Sequence, residues 1–370
     1  MLFRTVYIMN VDWDWIKQRP HFIAQHLSRS HEVIVLYPFA WKRAHLSKNE
    51  RDGVRAYPFF RFPFGGRLAF IGKLNVLLLQ MMASVFLRCH RPDIVWISSP
   101  ELFEYLPKHL SAKLIYDCMD DVLAFPRNAS RRCWLEASEK ELINSCSLVF
   151  CSSENLREKL IVRAGNSERF SIVHNAFEPS AFLGFTENPE AGKKAGQYVL
   201  GYVGTISSWL DFEALIAIVN AFPSVEIHLM GPIENLEMSL PQHERIKYLG
   251  VSRHCDLQMR VSRFDALIMP FKVTELIQSV DPVKLYEYIF FNKPIVSVRY
   301  PEIERFSDFV YFYENHEQLV AIFAKYLNVG FKKKYSSEAR DRFIVANTWA
   351  QRVVCIEETL CQLGEKRRAR

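Results

Sequence analysis

The stretch Tyr198-Val199-Leu200-Gly201-Tyr202-Val203-Gly204-Thr205-Ile206-Ser207-Ser208 leads through Asp211 into Phe212, Leu215, Ile216, Val219 and Phe222. Its first part is a short apolar run without polar alternation, the mark of a strand covered on both faces of a parallel sheet. Gly204 breaks the run. The second part spaces its apolar residues at 3.6, as a helix with one buried stripe does. Strand, glycine turn and helix in that order form the first half of a strand–helix–strand unit.

The same alternation continues outward in both directions. Apolar runs rich in Val and Ile stand at 2–9, 32–37, 93–98, 113–118, 148–152 and 170–175, and again at 225–230, 246–249, 266–270 and 295–298. Helical patterns lie between them, which predicts an α/β protein made of doubly wound parallel sheets. Residues 178–197 interrupt the pattern with Pro179, Gly184, Pro189, Gly192 and Gly196 and read as a linker. The expected organisation is an N-terminal Rossmann-like domain over 1–177, the linker, and a second Rossmann-like domain over 198–347. A last helix over 348–370 is expected to fold back on the first domain and end in a basic tail. Two such domains are expected to face a cleft, because open α/β sheets bind ligands at the C-terminal ends of their strands.

A length of 370 residues suits two domains. With 49% hydrophobic residues and 28 Phe, 15 Tyr and 7 Trp, intrinsic disorder is excluded as the main state. Lys and Arg (47) exceed Asp and Glu (41) by six, too mild an excess to indicate nucleic acid, but suited to phosphate or anionic lipid. The eight cysteines form no CxxC pair and no zinc-finger spacing, so a reducing compartment and no metal centre are expected. Residues 1–9 read as a first strand without a cleavable leader, from which a cytoplasmic location is expected.

Four post-strand segments carry candidate chemistry. In Asn10-Val11-Asp12-Trp13-Asp14-Trp15, Asp12 and Asp14 can accept bonds from sugar hydroxyls and the indoles can stack on a sugar face. The plainer alternative buries the indoles and uses Asp14 as a helix cap. In Tyr116-Asp117-Cys118-Met119-Asp120-Asp121, crowded carboxylates raise the pKa of at least one, which suits a general base. Asp120 leads, Asp121 follows, and Asp117 lies in the strand. The alternatives are a helix cap and a Mg²⁺ site. In Gly204-Thr205-Ile206-Ser207, Gly204 admits close backbone approach and Thr205 and Ser207 can donate to phosphate oxygens, although the turn is neither GxGxxG nor a P-loop. The fourth segment, Lys272 through Ser279-Val280-Asp281-Pro282-Val283-Lys284-Leu285-Tyr286-Glu287-Tyr288, is the most informative. Asp281 reads as N-cap and Pro282 as first helical residue. Lys284 and Glu287 then share one helix face. A diphosphate would offset the cation near the helix start, and Glu287 would reach ribose hydroxyls. A solvated Lys–Glu pair is the alternative.

Taken together, in order and spacing, these segments resemble nucleotide-sugar glycosyltransferases of the GT-B fold. The carrying pieces are Trp13–His21, Tyr116–Asp121, Val173-His174-Asn175-Ala176-Phe177, Gly201–Ile206 and Ser279–Tyr288. The chain is most similar to bacterial teichuronic acid biosynthesis glycosyltransferases and, more distantly, to the xanthan-pathway glucuronosyltransferase. The resemblance implies that the second domain binds the sugar nucleotide and the first the acceptor. It assigns the diphosphate to Lys284, the ribose to Glu287 and the catalytic base to Asp120. The chain departs from the pattern of many relatives, which carry a second Glu where Ser279 stands and cations in the first loop of the second domain. Here that loop holds Gly204 and Thr205, so more weight falls on Lys284, with Lys272 as helper. No cofactor and no metal are expected beyond the sugar-nucleotide donor.

Residues 53–92 hold six Lys or Arg (Arg55, Arg61, Arg67, Lys73, Arg88, Arg91) and no Asp or Glu, interleaved with Tyr57, Phe59, Phe60, Phe62, Phe64 and Phe70. Lys73, Asn75 and Gln80 divide the apolar run 68–87 into pieces too short for a bilayer span of roughly 20 residues. An interfacial segment on an anionic membrane is expected instead, with a helix of the first domain as the alternative. The function expected is a glycosyltransferase acting at the inner face of the cytoplasmic membrane, on a lipid-linked glycan for a cell-surface polysaccharide. A sugar-nucleotide epimerase and an inactive scaffold of a polysaccharide assembly complex are the alternatives.

Overall fold

The apolar runs of the first half become parallel strands, with one addition. They are β1 (Arg4–Ile8), β2 (Glu32–Pro38), β3 (Arg55–Phe59), β4 (Ile94–Ile97), β5 (Lys113–Cys118), β6 (Leu148–Cys151) and β7 (Phe170–Ile172). Their order is β3-β2-β1-β4-β5-β6-β7. β3 is the addition. It carries Arg55, Tyr57 and Pro58 at the sheet edge, where a proline is tolerated and an alternating apolar pattern is not required. Helices α1 (Arg19–Leu27), α2 (Ala69–His90), α3 (Ala129–Ser145) and α4 (Glu154–Ala164) cross between the strands. The computed structural model describes residues 2–39, 53–63, 68–165, 168–182, 196–236, 239–252 and 254–365. Most of the expected linker, the basic tail, Phe64 and Arg67 therefore lie outside the described residues.

The second half repeats the plan with β8 (Tyr198–Val203), β9 (Val225–Met230), β10 (Ile246–Tyr248), β11 (Ala266–Met269), β12 (Ile295–Val298) and β13 (Val310–Tyr313). Their order is β10-β9-β8-β11-β12-β13, and every pairing is parallel. Its helices are α5 (Phe212–Ala221), α6 (His254–Ser262), α7 (Glu275–Gln278), α8 (Val283–Phe290), α9 (His316–Val329) and α10 (Ser337–Ala346). The Asp211 carboxylate caps α5 by accepting the Ala214 N–H at 3.1 Å. Ala214, Leu215, Ile218 and Val219 enter the core.

The chain divides into Met1–Asn175 with Trp349–Arg370, and Ala176–Thr348. The final helix, α11 (Trp349–Glu365), packs on α1. Trp349, Val353, Ile356 and Leu360 are buried at helical spacing, each stabilising by roughly 1.5–3 kcal/mol. The Trp349 ring stacks on Phe22 at 5.5 Å.

Two local expectations are corrected. The 68–87 run enters one unbroken helix, α2, whose Phe70–His90 stretch is long and apolar enough to cross a membrane by length and composition. Asn75 and Gln80 do not interrupt it because both turn inward and find backbone partners at Phe62 and Glu104. Secondly, Asp281 is not the N-cap of α8. Pro282 holds that place and Val283 begins the helix.

Candidate active site

Each sheet reverses its winding between two neighbouring strands, β1 and β4 in the first unit and β8 and β11 in the second. Loops at such switch points splay apart at the strand C-termini and leave room for a ligand.

In the second unit the loop after β8 begins at Gly204, whose φ is +143° and whose N–H donates to the Met230 carbonyl at 2.8 Å. A Cβ at Gly204 would overlap the Cε of Lys284. Gly231, after β9, has φ +141°, and a Cβ there would overlap the Gly204 carbonyl. Two glycines thus let the Lys284 stem lie on the β8 turn. Its ammonium stands 5.9 Å from the Tyr202 ring centre and 5.7 Å from that of Phe271. Desolvation lowers the Lys284 pKa, and the Glu287 charge opposes that shift. Desolvation raises Glu287 to about 7, against the Lys284 charge. Among the described residues neither side chain makes a hydrogen bond or ion pair. A desolvated cation and a carboxylate one helical turn apart, both unsatisfied, are suited to an anion and to hydroxyl groups on one ligand.

The placement of Lys284 follows from its neighbours. The Tyr288 hydroxyl accepts the Val203 N–H at 2.9 Å and donates to the Val203 carbonyl at 3.1 Å, locking α8 to the last residue of β8. Asp281 is buried and paired with Arg305, and the Tyr286 hydroxyl donates to it at 3.2 Å. Arg305 also donates to the Tyr286 hydroxyl at 2.9 Å. The Asp281 carboxylate is thus held by Arg305 and the Tyr286 hydroxyl just ahead of α8. Ser279 is buried in the loop before α8. Thr205 is half-buried and its carbonyl accepts the Tyr202 hydroxyl at 2.7 Å. The Ser207 hydroxyl is buried without a partner among the described residues. Lys272 is exposed and lines a cavity of about 480 Å³ with Asp211, Phe271, Tyr313 and His316.

In the first unit the three aspartates separate into distinct roles. Asp117 accepts from the Arg19 Nε at 3.0 Å to both carboxylate oxygens, from the Arg19 Nη2 at 2.8 Å, and from the Tyr7 hydroxyl at 3.2 Å. Arg19 also donates to the Val173 carbonyl at 2.6 Å. Asp121 is fully buried and paired with Lys159 at 3.0 Å and Arg163 at 2.8 Å. Burial opposes its ionisation, but the two cations outweigh burial and hold its pKa low. Asp120 alone makes no side-chain hydrogen bond or ion pair among the described residues. Desolvation raises it to about 6, with the Asp121 charge adding and Arg19 opposing.

Asp120 lines a cavity of about 210 Å³ with Asn10, Ser98, Ser99, Glu101 and Arg127. Asn10 and Ser98 join the loops after β1 and β4, the Asn10 N–H meeting the Ser98 hydroxyl at 3.1 Å. Glu101 pairs with Arg127 at 3.2 Å. None of these neighbours stood out in sequence, since isolated Asn, Ser and Arg carry no pattern. The strand-end rule is the signal that points to Asn10 and Ser98.

Asp12 and Asp14 do not line this cavity. The Asp12 carboxylate is buried and accepts the Asp14 N–H at 3.0 Å, a turn that satisfies its own backbone. Trp13 is fully buried beside His21, which desolvation lowers to about 4. Neither a stacking role for Trp13 nor a cap by Asp14 fits, because α1 starts at Arg19 behind Gln18.

Two doubly wound parallel sheets in separate units, each with candidate residues at its strand C-termini, define the GT-B class of fold. The chain is 24% identical over 338 residues to TuaH of Bacillus subtilis (strain 168), a glycosyltransferase assigned to teichuronic acid biosynthesis, across 83% of this chain and 84% of that one. Among solved structures it is similar to sucrose-phosphate synthase of Thermosynechococcus elongatus, with a TM-score of 0.74 and 11% identity over 98% of this chain and 100% of that one. It is also similar to HepE of Anabaena in complex with UDP and glucose, with a TM-score of 0.61 and 16% identity over 97% and 98% of the two chains. No protein-family model matches.

Proposed function

We propose that the chain is a glycosyltransferase that moves a sugar from a nucleotide-diphosphate donor to a lipid-linked glycan, in the assembly of a cell-surface polysaccharide at the inner face of the cytoplasmic membrane. One observation carries the donor assignment: the Lys284 ammonium, without an ion pair among the described residues, lies on the Gly204 turn at the second unit's switch point. There it would stabilise the charge that develops on the departing diphosphate. Glu287, one turn deeper, would accept from the ribose hydroxyls.

In the first unit Asp120 would take the proton of the acceptor hydroxyl as that oxygen attacks the anomeric carbon, which implies inversion. The likeness to TuaH and the UDP and glucose bound by HepE support this choice of donor and pathway class. No divalent ion enters the scheme, and turnover is expected to persist in EDTA.

The test pairs a panel of UDP-, GDP- and TDP-sugars, assayed for nucleotide release with and without membrane lipid extract, with calorimetric binding of the free nucleotide. Lys284→Met is expected to weaken nucleotide binding about 10- to 100-fold, the value of one charge-assisted contact. Unchanged affinity would remove the donor site from this turn.

A further inference from the structure

We propose that the outward face of α2, together with the chain that follows β3, docks flat on an anionic lipid bilayer.

The helix has two apolar faces. Leu79, Ala83 and Leu87 point into the first unit, and Leu79 and Leu87 belong to its core. On the opposite side Phe70, Leu77, Met81 and Val85 form a stripe at helical spacing, and all four are exposed, Phe70 to 77% and Val85 to 60%. A soluble helix needs only one apolar face. The second has no packing role in the described structure.

Asn75 enlarges this stripe. It accepts the Phe62 N–H at 2.8 Å and donates to the Phe62 carbonyl at 3.0 Å. The bond pair holds the segment after β3 against α2 and leaves Phe60 and Phe62 more than half exposed.

Charge identifies the occupant. Lys73 is exposed near the N-terminal end of the stripe, Arg88 and Arg91 at its C-terminal end, and Arg61 in the segment after β3. No acidic residue occurs anywhere from 53 to 92. Arg88 and Arg91 line, with His109, a cavity of about 590 Å³ that no carboxylate lines. An apolar stripe with cations at both ends and a cationic recess matches acyl chains beside phosphate headgroups.

Topology excludes a span, although α2 is long enough for one. β3 and β4 flank α2 and lie in one sheet, linked through β2 and β1 by continuous parallel pairing. A bilayer crossing would put β3 and β4 on opposite sides of the membrane and break that sheet. The helix therefore lies in the interface plane.

The purpose of this surface rests on the proposed lipid-linked acceptor, but its test does not involve turnover. Full-length protein is sedimented with vesicles of phosphatidylcholine alone and of phosphatidylcholine with phosphatidylglycerol. Binding is expected to the anionic vesicles and to fall with salt. Leu77→Glu with Met81→Glu is expected to weaken binding at least about tenfold. Lys73→Glu with Arg88→Glu is expected to weaken it by about fivefold or more per site. All four side chains are exposed, so circular dichroism and nucleotide affinity should be unchanged. Equal binding of wild type and both variants, or no vesicle binding by wild type, would overturn the proposal. So would a wild-type dimer that the Leu77 and Met81 changes dissociate without any vesicle binding. Vesicle binding in a chain that binds no nucleotide would leave the docking face standing and remove the transferase reading.

Discussion

Replacing Asp120 by Asn should make the protein more stable and less active, and both effects follow from one shifted equilibrium. The Asp120 carboxyl stands at about 6 because desolvation, aided by Asp121, disfavours its charge by more than Arg19 favours it. An unfolded aspartate titrates near 3.8. The folded pKa is the higher one, so the unfolded chain releases the proton first as pH rises. Stability falls between about pH 4 and 6 and stays lower above that window. A gap of roughly two pH units corresponds to about 3 kcal/mol, an upper value since the side chain retains some solvent contact. Asn has no charge to desolvate. At pH 4 the variant and the wild type should therefore unfold together. At pH 7.5 the variant should gain up to about 3 kcal/mol, or roughly 6–12 °C for a unit of this size. Turnover should drop about 10²- to 10⁴-fold, the usual contribution of a general base. The wild-type kcat/KM should itself fall about tenfold per pH unit below 6. Calorimetry at the two pH values and a nucleotide-release assay measure both arms. A variant with the same stability difference at pH 4 and 7.5 would refute the desolvation argument. Turnover within a few-fold of wild type would refute the base.

Two further substitutions probe the second unit. Gly204→Ala strains a φ of +143° and pushes the Lys284 stem off the turn, so nucleotide affinity should fall, at most as far as in Lys284→Met, as titration calorimetry would show. Arg305→Met removes the Arg305 cation from the buried Asp281 carboxylate and should cost up to about 3 kcal/mol in denaturant unfolding, the low end for breaking a buried pair because Arg305 is partly exposed and Tyr286 still donates to Asp281. It should also loosen the start of α8, with nucleotide Kd rising more than the unfolding of the remaining structure accounts for.

How much of this was legible in sequence depends on whether a residue acts through local pattern or through distant partners. The β8 turn and α5 were legible because apolar run, glycine and helical stripe are all local signals. β3 was not, since an edge strand that carries Arg55 and Pro58 lacks the buried-strand pattern. β13 was missed as well, although Val310-Tyr311-Phe312-Tyr313 is apolar throughout. Lys284 and Glu287 could be paired from spacing alone. Their seat could not be read, because it depends on Tyr288 reaching Val203, 85 residues away, and on Arg305 pairing with Asp281 ahead of the helix.

The aspartate cluster shows the same division more sharply. Crowding predicts one raised carboxylate among Asp117, Asp120 and Asp121, but spacing does not say which. The choice is made elsewhere in the chain. Arg19, 98 residues from Asp117, engages it, and Lys159 and Arg163 engage Asp121 from α4. Among the described residues Asp120 is the one of the three without an ion pair, and the Arg19 charge offsets only part of its desolvation. A base of this kind is defined by the partners its neighbours have. The cations on α1 and α4 therefore determine, from outside the cavity, which aspartate can accept a proton near neutral pH.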